Sequence, residues 1–516
     1  MLRACPPCHF ELNLGVMCLY LLVLLFLVLN TACNANFIPS GGLQLAAGGP
    51  SLRQIDEVTL SVDVKGKSAS HGQKVKLTAS NNDHSSTSLM PVVINIIADL
   101  CPHGMLPLAF GLSEGGLVGV VPATLTLLIF GSLSGFAMKT YANLASEHKV
   151  DSISGIWAKV VGQETKWMIS ASLFALCFGC CVFYSAFVGD IFATLVSALP
   201  IGKMFKQRTT VLILLTLGMI WPLCMLEDLS ALEPTAKLGV IGIMYTTVFT
   251  LLRAFDGSYA PGSEWMADMG TDKQPSWPEA LGTWNFSPSG ILVLVNMLCV
   301  AFLAHYNAIS YYQEIPNRNP EKFSKAVNRG FLASMLVFLS MMYAGYSMFG
   351  ATAQPLLLNN FHPSKDYLAT GARIAIGMAI VFAYPLMFNA LKTALYNLLP
   401  SQFHQYADKR VLTKACKNKR KIAVTSILAL ITAIGVECGE EDVSLVLGLV
   451  GSVLGTFFAY TLPGYMALKN MKLRKAKGLK NHPKDILLSH IVVPVGLIFG
   501  VFGVALTLRE HFEWLR

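Results

Sequence analysis

The chain has 516 residues and a formal net charge of +9, with 13% charged residues against 53% hydrophobic ones. Soluble domains carry roughly 25% charged residues, whereas the mean hydropathy here is +0.54. Apolar runs of about 18 residues or more recur along it, which excludes a string of soluble domains and points to a polytopic membrane protein. The basic residues gather in short loops between apolar spans, so the positive charge reads as membrane topology and not as a nucleic-acid surface.

In chain order, the apolar stretch at 14–35 comes first, followed by a Ser-, Gly-, Lys- and Asn-rich segment at 36–88. Three readings of the stretch stay open: an extra helix, a cleaved signal or targeting leader, and an irregular gene start. Segment 36–88 lacks periodicity and reads as a disordered cytosolic tail. Spans are then expected at 90–112, 117–140, 168–197, 209–226, 235–254, 289–311, 329–350, 369–397, 421–436, 443–468 and 487–507. Each must be helical, because backbone groups in hydrocarbon bond internally. The organisation is therefore a hydrophobic N-terminal segment (1–35), a tail (36–88), a transmembrane domain (89–508) and a short C-terminal tail (509–516). Of the 12 cysteines most lie inside spans and read as packing residues; Cys5 and Cys8 give only a weak metal signature.

Loop charge alternates. Stretches 408–421 and 469–484 carry seven Lys/Arg each, and Arg318, Lys322, Lys325 and Arg329 follow span 6. Loop 255–287 and the cluster Glu437, Glu440, Glu441 and Asp442 are acidic. The positive-inside rule places the basic loops in the cytosol, with the chain entering span 1 from that side. Loop 198–208, with Lys203, Lys206 and Arg208, goes against this pattern. Asp190 and Lys392 sit toward helix ends, where both can snorkel.

Span 1 departs from an ordinary crossing helix. It carries Asp99 and His103, four residues apart, with Pro102, Gly104 and Pro107 among them. Proline removes a donor and clashes with the preceding turn, so unwinding is expected near Cys101–Met105. Unwound backbone in a membrane is tolerated only where it is buried in protein or lines a cavity, and such broken helices build the midplane sites of secondary transporters. An intramembrane ionisable residue is itself a functional candidate. A structural pair between Asp99 and Lys237 or another basic group is the competing reading. Span 6 holds further polar groups, Asn296, His305 and Asn307.

The stretch from Asn95 through "PHG" and "MLPLAF" to "EGG" resembles the first helix of the amino acid/auxin permease family. It is closest to the branch holding the sodium-coupled neutral and vacuolar amino acid transporters. "FLAHYNAISYYQEI" (302–315) is similar to that family's sixth-helix motif, on Phe302, His305, Tyr312 and Glu314. Segments 222–240, 371–395 and 442–469 resemble its fourth-to-fifth, eighth and tenth helices. The resemblance implies an all-α polytopic membrane protein with a LeuT-like (APC superfamily) five-plus-five inverted repeat of 11 core transmembrane helices. It implies a secondary active transporter of amino acids, not an enzyme, in a plasma, vacuolar or other endomembrane. It also implies a substrate site at Cys101, Pro102, His103, Gly104, Phe302 and His305, where broken helices 1 and 6 meet, and ion coupling at Asn95, Asp99 and His103.

The implied partners are an amino acid and the lipid bilayer, with the chain working as a monomer and without a cofactor other than the coupling ion. That ion is a proton or sodium. The sodium branch uses an asparagine on helix 1, here Asn95, and a hydroxyl on helix 8, where this chain has Val381 and Ala383 and only Tyr384 nearby. Protons need only a titratable group, which Asp99 and His103 supply, so proton coupling is the expectation. An amino acid sensor of the same fold is the alternative. A membrane enzyme is disfavoured by the absence of H-E-x-x-H, G-x-S-x-G and P-loop motifs.

Overall fold

The computed structural model describes residues 89–514, apart from 114–117, 198–199, 201, 227–232, 269–273, 277–281, 283, 363–364, 399–413 and 439–447. The N-terminal segment, the 36–88 tail, Cys5, Cys8 and the acidic residues 440–442 lie outside this set. The described residues are all-helical apart from turns and one isolated bridge between Ser276 and Gly350.

In order they form α1 (Met90–Gly104), α2 (Leu108–Ser113), α3 (Val120–His148), α4 (Ile153–Val160) and α5 (Lys166–Ser197). Next come α6 (Arg208–Cys224), α7 (Glu233–Asp256), α8 (Glu264–Ala267), α9 (Pro288–Ala301) and α10 (Ala308–Glu314). The last five are α11 (Pro320–Phe349), α12 (Tyr367–Leu398), α13 (Lys414–Glu437), α14 (Leu462–Ala476) and α15 (Pro483–Trp514). Two π-helical stretches, Val450–Gly455 and Phe457–Thr461, precede α14.

Among the described residues seven helices are long and apolar enough to cross a membrane, counting α9 and α10 together, and α1 and α6 are shorter apolar helices. Burial sorts them. α15 is the most apolar of them, yet only 28% of its apolar stretch is buried, whereas 72% of that of α12 is buried. Lipid is as apolar as a leucine side chain, so α15 faces outward at no cost, while α12 forms part of the protein interior. α12 packs on α5 and α7, and α11 packs on α1, α3 and α7. The α7–α12 approach depends on Gly242, whose Cβ would come within 2.6 Å of the Ala375 carbonyl oxygen.

Cations at helix ends have specific partners. Arg208, one of the charges that broke the topological pattern, pairs with Asp190. It also donates to the carbonyls of Gly435 and Val436, both at 3.0 Å, at the end of α13. Lys206 donates to Ser197 O at the end of α5, at 2.8 Å. These charges serve helix termini. Lys392 likewise does not snorkel to water: it is buried and donates to Cys224 O at 3.1 Å, at the end of α6.

One charged cluster fastens the loop after α7 to the start of α12. Arg253 holds Asp366 with two bonds, Nε to Oδ2 at 2.9 Å and Nη2 to Oδ1 at 2.8 Å. It also pairs with Asp256 at 2.7 Å and lies over the Trp265 ring at 4.7 Å. Asp366, fully buried, accepts from Tyr259 and from the backbone N–H groups of Leu368 and Ala369, capping α12. Nearby, Lys365 donates to Asp268 and holds that carboxyl below the ordinary carboxylate range. Its contribution is complete above the unfolded value and is lost only as pH falls through the lower folded one. Arg253→Met should lower stability by about 3 kcal/mol, because it strands a buried carboxylate. Arg253→Lys should recover less than half of that, since an ammonium cannot supply the two-pronged contact. Thermal unfolding in detergent checks both; an unchanged melting point for Arg253→Met would contradict the assignment.

Candidate functional site

Two helices break side by side. The first break falls at 105–107, between α1 and α2. The sequence placed it near Cys101–Met105, around Pro102. Pro102 instead sits inside α1, and the helix ends two residues later, at Gly104. Pro107 accounts for the shift: it cannot donate, and it disfavours helical geometry at Leu106 before it. The second break spans Phe302–Ala304, followed by a three-ten turn at His305–Asn307 that leads into α10. No glycine or proline marks this one.

The breaks can approach because of Gly104. A Cβ there would lie 2.9 Å from Ala301 Cα and 2.8 Å from Phe338 Cζ, so the end of α1 rests on the end of α9. Carbonyls at the second break also receive side-chain donors. Ser134 of α3 donates to Phe302 O at 3.0 Å. His103 reaches Val300 O at 3.3 Å through Nε2 and Tyr184 OH at 2.9 Å through Nδ1. A carbonyl only accepts, so Nε2 carries a proton, while Nδ1 and the Tyr184 hydroxyl share the second bond. His103 thereby bridges α1, α5 and α9. His305 donates through Nε2 to Ser134 O at 3.0 Å.

Asn95, Asp99 and His103 follow at four-residue intervals on the continuous helix α1 and share one face. The Asp99 side chain is fully buried. Its Oδ1 accepts from Tyr306 OH at 2.5 Å, and its Oδ2 accepts from Tyr311 OH at 2.8 Å and Asn307 Nδ2 at 3.1 Å. All three donors belong to the segment after the second break, and none is charged. Lys237, the alternative partner, is exposed. Asn95 donates to Glu314 Oε2 at 3.1 Å, joining α1 to the far end of α10.

Cys101 and Phe302, two of the implied substrate residues, make contacts with α11. Cys101 contacts Ser334 of α11 at 3.5 Å. The Phe302 ring packs against Phe331 and Phe338, with centroids at 6.0 and 5.1 Å. Tyr184, Tyr306, Asn307 and Tyr311 complete the group around Asp99 and His103. Of these the sequence reading noted only Asn307. On α12, Val381 and Ala383 are buried apolar side chains, and Tyr384 OH lies 3.1 Å from Ser185 Oγ. Among the described residues no cluster of His, Cys, Asp and Glu has metal-binding geometry.

A family model described as "Transmembrane amino acid transporter protein" matches residues 85–508. The vacuolar amino acid transporter 5 of Schizosaccharomyces pombe is 24% identical over 378 residues, 72% of this chain and 82% of that protein. A mouse sequence named for sodium-coupled neutral amino acid transporter 11 is 20% identical, covering 84% of this chain and 87% of its own length. Among solved structures, MhsT in complex with L-phenylalanine superposes with a TM-score of 0.51 at 14% identity, covering 81% of this chain and 98% of that one. That likeness concerns the fold.

Gly104→Val should destabilise the protein by about 1–3 kcal/mol by forcing α1 off Ala301. Pro102→Ala should be tolerated, because the break does not depend on it. Unfolding in detergent separates the two, and equal effects would contradict this placement of the break.

Proposed function

The chain belongs to the transmembrane amino acid transporter protein family, and on that premise we propose that it moves an amino acid across a membrane by proton-coupled alternating access, with the substrate held where the two broken helices meet. One observation carries the proton part: Asp99 is fully buried and held by two hydroxyls and an amide, not by a cation. A carboxylate with a permanent cationic partner resists protonation, whereas one held by neutral donors exchanges its charge at lower cost. Because the donors sit beyond the second break, gain or loss of the proton acts directly on the segment that has to move.

His103 contributes a different function. It fixes Tyr184 and the end of α9 around the site, so it shapes the substrate region. Asn95 keeps α1 and α10 in register through Glu314. Sodium coupling is less well supported, because α12 offers apolar Val381 and Ala383 where a hydroxyl ligand is wanted, and the Tyr384 hydroxyl is engaged by Ser185.

The test is uptake into proteoliposomes of a panel of amino acids, under imposed pH and sodium gradients. Acid-driven uptake is expected with no sodium requirement. Asp99→Asn should lose acid stimulation by about tenfold or more while still inserting and folding, and retained full stimulation would refute the proton site. His103→Ala should weaken affinity or shift the pH–rate curve; no change in either would remove it from the site. Asp268→Asn, at the outer loop pair, should leave the acid response unchanged.

A further inference from the structure

Within the group formed by Asp99, Tyr306, Asn307 and Tyr311, one buried polar atom has no hydrogen-bond partner: Asn307 Oδ1. The same amide is engaged on its other side. Asn307 Nδ2 donates to Asp99 Oδ2 at 3.1 Å and to Tyr311 OH at 3.3 Å. The residue is 1% exposed, so water from bulk does not satisfy the oxygen. It sits in the three-ten turn next to the break.

This arrangement suits an ionised Asp99, which only accepts. A protonated carboxyl carries an O–H that needs an acceptor. Asn307 has an idle one on the side chain already in contact. Half a turn about Cβ–Cγ exchanges Oδ1 and Nδ2 without moving the backbone. The exchange also brings the N–H2 group to the place where the oxygen now stands bare.

We infer that Asn307 is a positioning residue that couples the proton on Asp99 to amino acid binding, by donating to the carboxylate in one state and turning over to accept from the carboxyl O–H in the other. This rests on the proton-coupled reading above. One proton adds to Asp99 Oδ2 from the acidic side and leaves from the same oxygen on the other side. No other covalent bond changes. In this structure the oxygen is buried; in an opened site with Asp99 ionised it presents a bare acceptor, which repels a substrate carboxylate. With Asp99 protonated it shows an N–H2 group, which hydrogen-bonds that carboxylate. Proton and amino acid then raise each other's affinity by the same factor.

The groups around Asp99 allow this. On its own helix the neighbours are His103 and Asn95. Across the break they are Tyr306, Tyr311 and, further along, Glu314. α5 brings Tyr184, Cys177 and Cys180 into electrostatic range. The cations of the other packed helices are committed or exposed: Arg253 to Asp366, Arg373 to backbone carbonyls, Lys392 to the end of α6, while Lys237, Lys322, Lys325 and Arg329 lie on exposed surface.

The test uses the full chain in proteoliposomes, with an equimolar mixture of radiolabelled L-amino acids as probe, and apparent KM measured at about pH 5.5 and about pH 7.5. In the wild type KM should fall about tenfold on acidification. In Asn307→Leu, which can neither donate nor accept, it should change by less than about twofold. An undiminished fall in that variant would overturn the inference. Infrared difference spectra of wild-type protein with labelled asparagine give a readout that does not depend on the variant folding. Acidification should raise a carboxylic band, removed by Asp99→Asn, together with a shift of an asparagine amide band. A carboxylic band without any amide shift would also overturn the inference. Failure of the parent reading looks different: no carboxylic band assignable to Asp99, and no pH dependence of KM in the wild type.

Discussion

A carboxylate withdrawn from water must find donors or give up its charge, and Asp99 finds all of its donors on a single short segment. Tyr306, Asn307 and Tyr311 lie within six residues of chain, in the turn and short helix beyond the second break. Bonds to an ionised acceptor are roughly twice as strong as neutral ones, so this contact is a strong polar tie between α1 and the segment that follows α9. Because none of the donors carries charge, the tie depends on whether Asp99 holds a proton. A salt bridge in the same place would have made a permanent strut.

The rest of the structure makes that contact affordable in a membrane. Two helix breaks put peptide groups into an apolar interior, where each unmet group costs several kcal/mol on the order of a lost hydrogen bond. His103 and Ser134 donate to the carbonyls of Val300 and Phe302. Gly104 lets the backbones close on each other. α11 and α3 form the walls, with Phe331 stacked on Phe302, Phe338 edge-on to it, and Ser334 beside Cys101. Away from the breaks, Arg253 and Asp366 fix the start of α12, and Arg208 and Lys392 close helix ends. Arg208 and Lys206, the loop charges that go against the topological pattern, are thus occupied by helix termini.

Much of this was legible in the chain itself. An aspartate and a histidine one helical turn apart in an oily span stand out because their burial demands a reason, and the apolar runs locate the helices. The position of the first break was not legible. Pro102 and Pro107 both qualify, and only the packed structure shows that the second of them ends the helix. The second break has no local signal, since Phe302, Leu303 and Ala304 are ordinary helix residues and packing against Ser134 and Gly104 opens the chain there. Tyr184, Tyr306 and Tyr311 also escaped notice, because a tyrosine in an apolar span is an unremarkable packing residue until the facing of three helices is known. Lys392 was misjudged for a related reason: a lysine near a helix end reads as snorkelling unless the neighbouring helix terminus is seen beside it.

The central claim is that a proton on Asp99 travels with the amino acid, and the most direct measurement is the proton itself. Vesicles loaded with a pH-sensitive dye, with no pre-set pH or sodium gradient, receive the amino acid mixture on the outside. The interior should acidify as substrate enters, and the signal should vanish with Asp99→Asn. Substrate entry without any movement of protons would contradict the account.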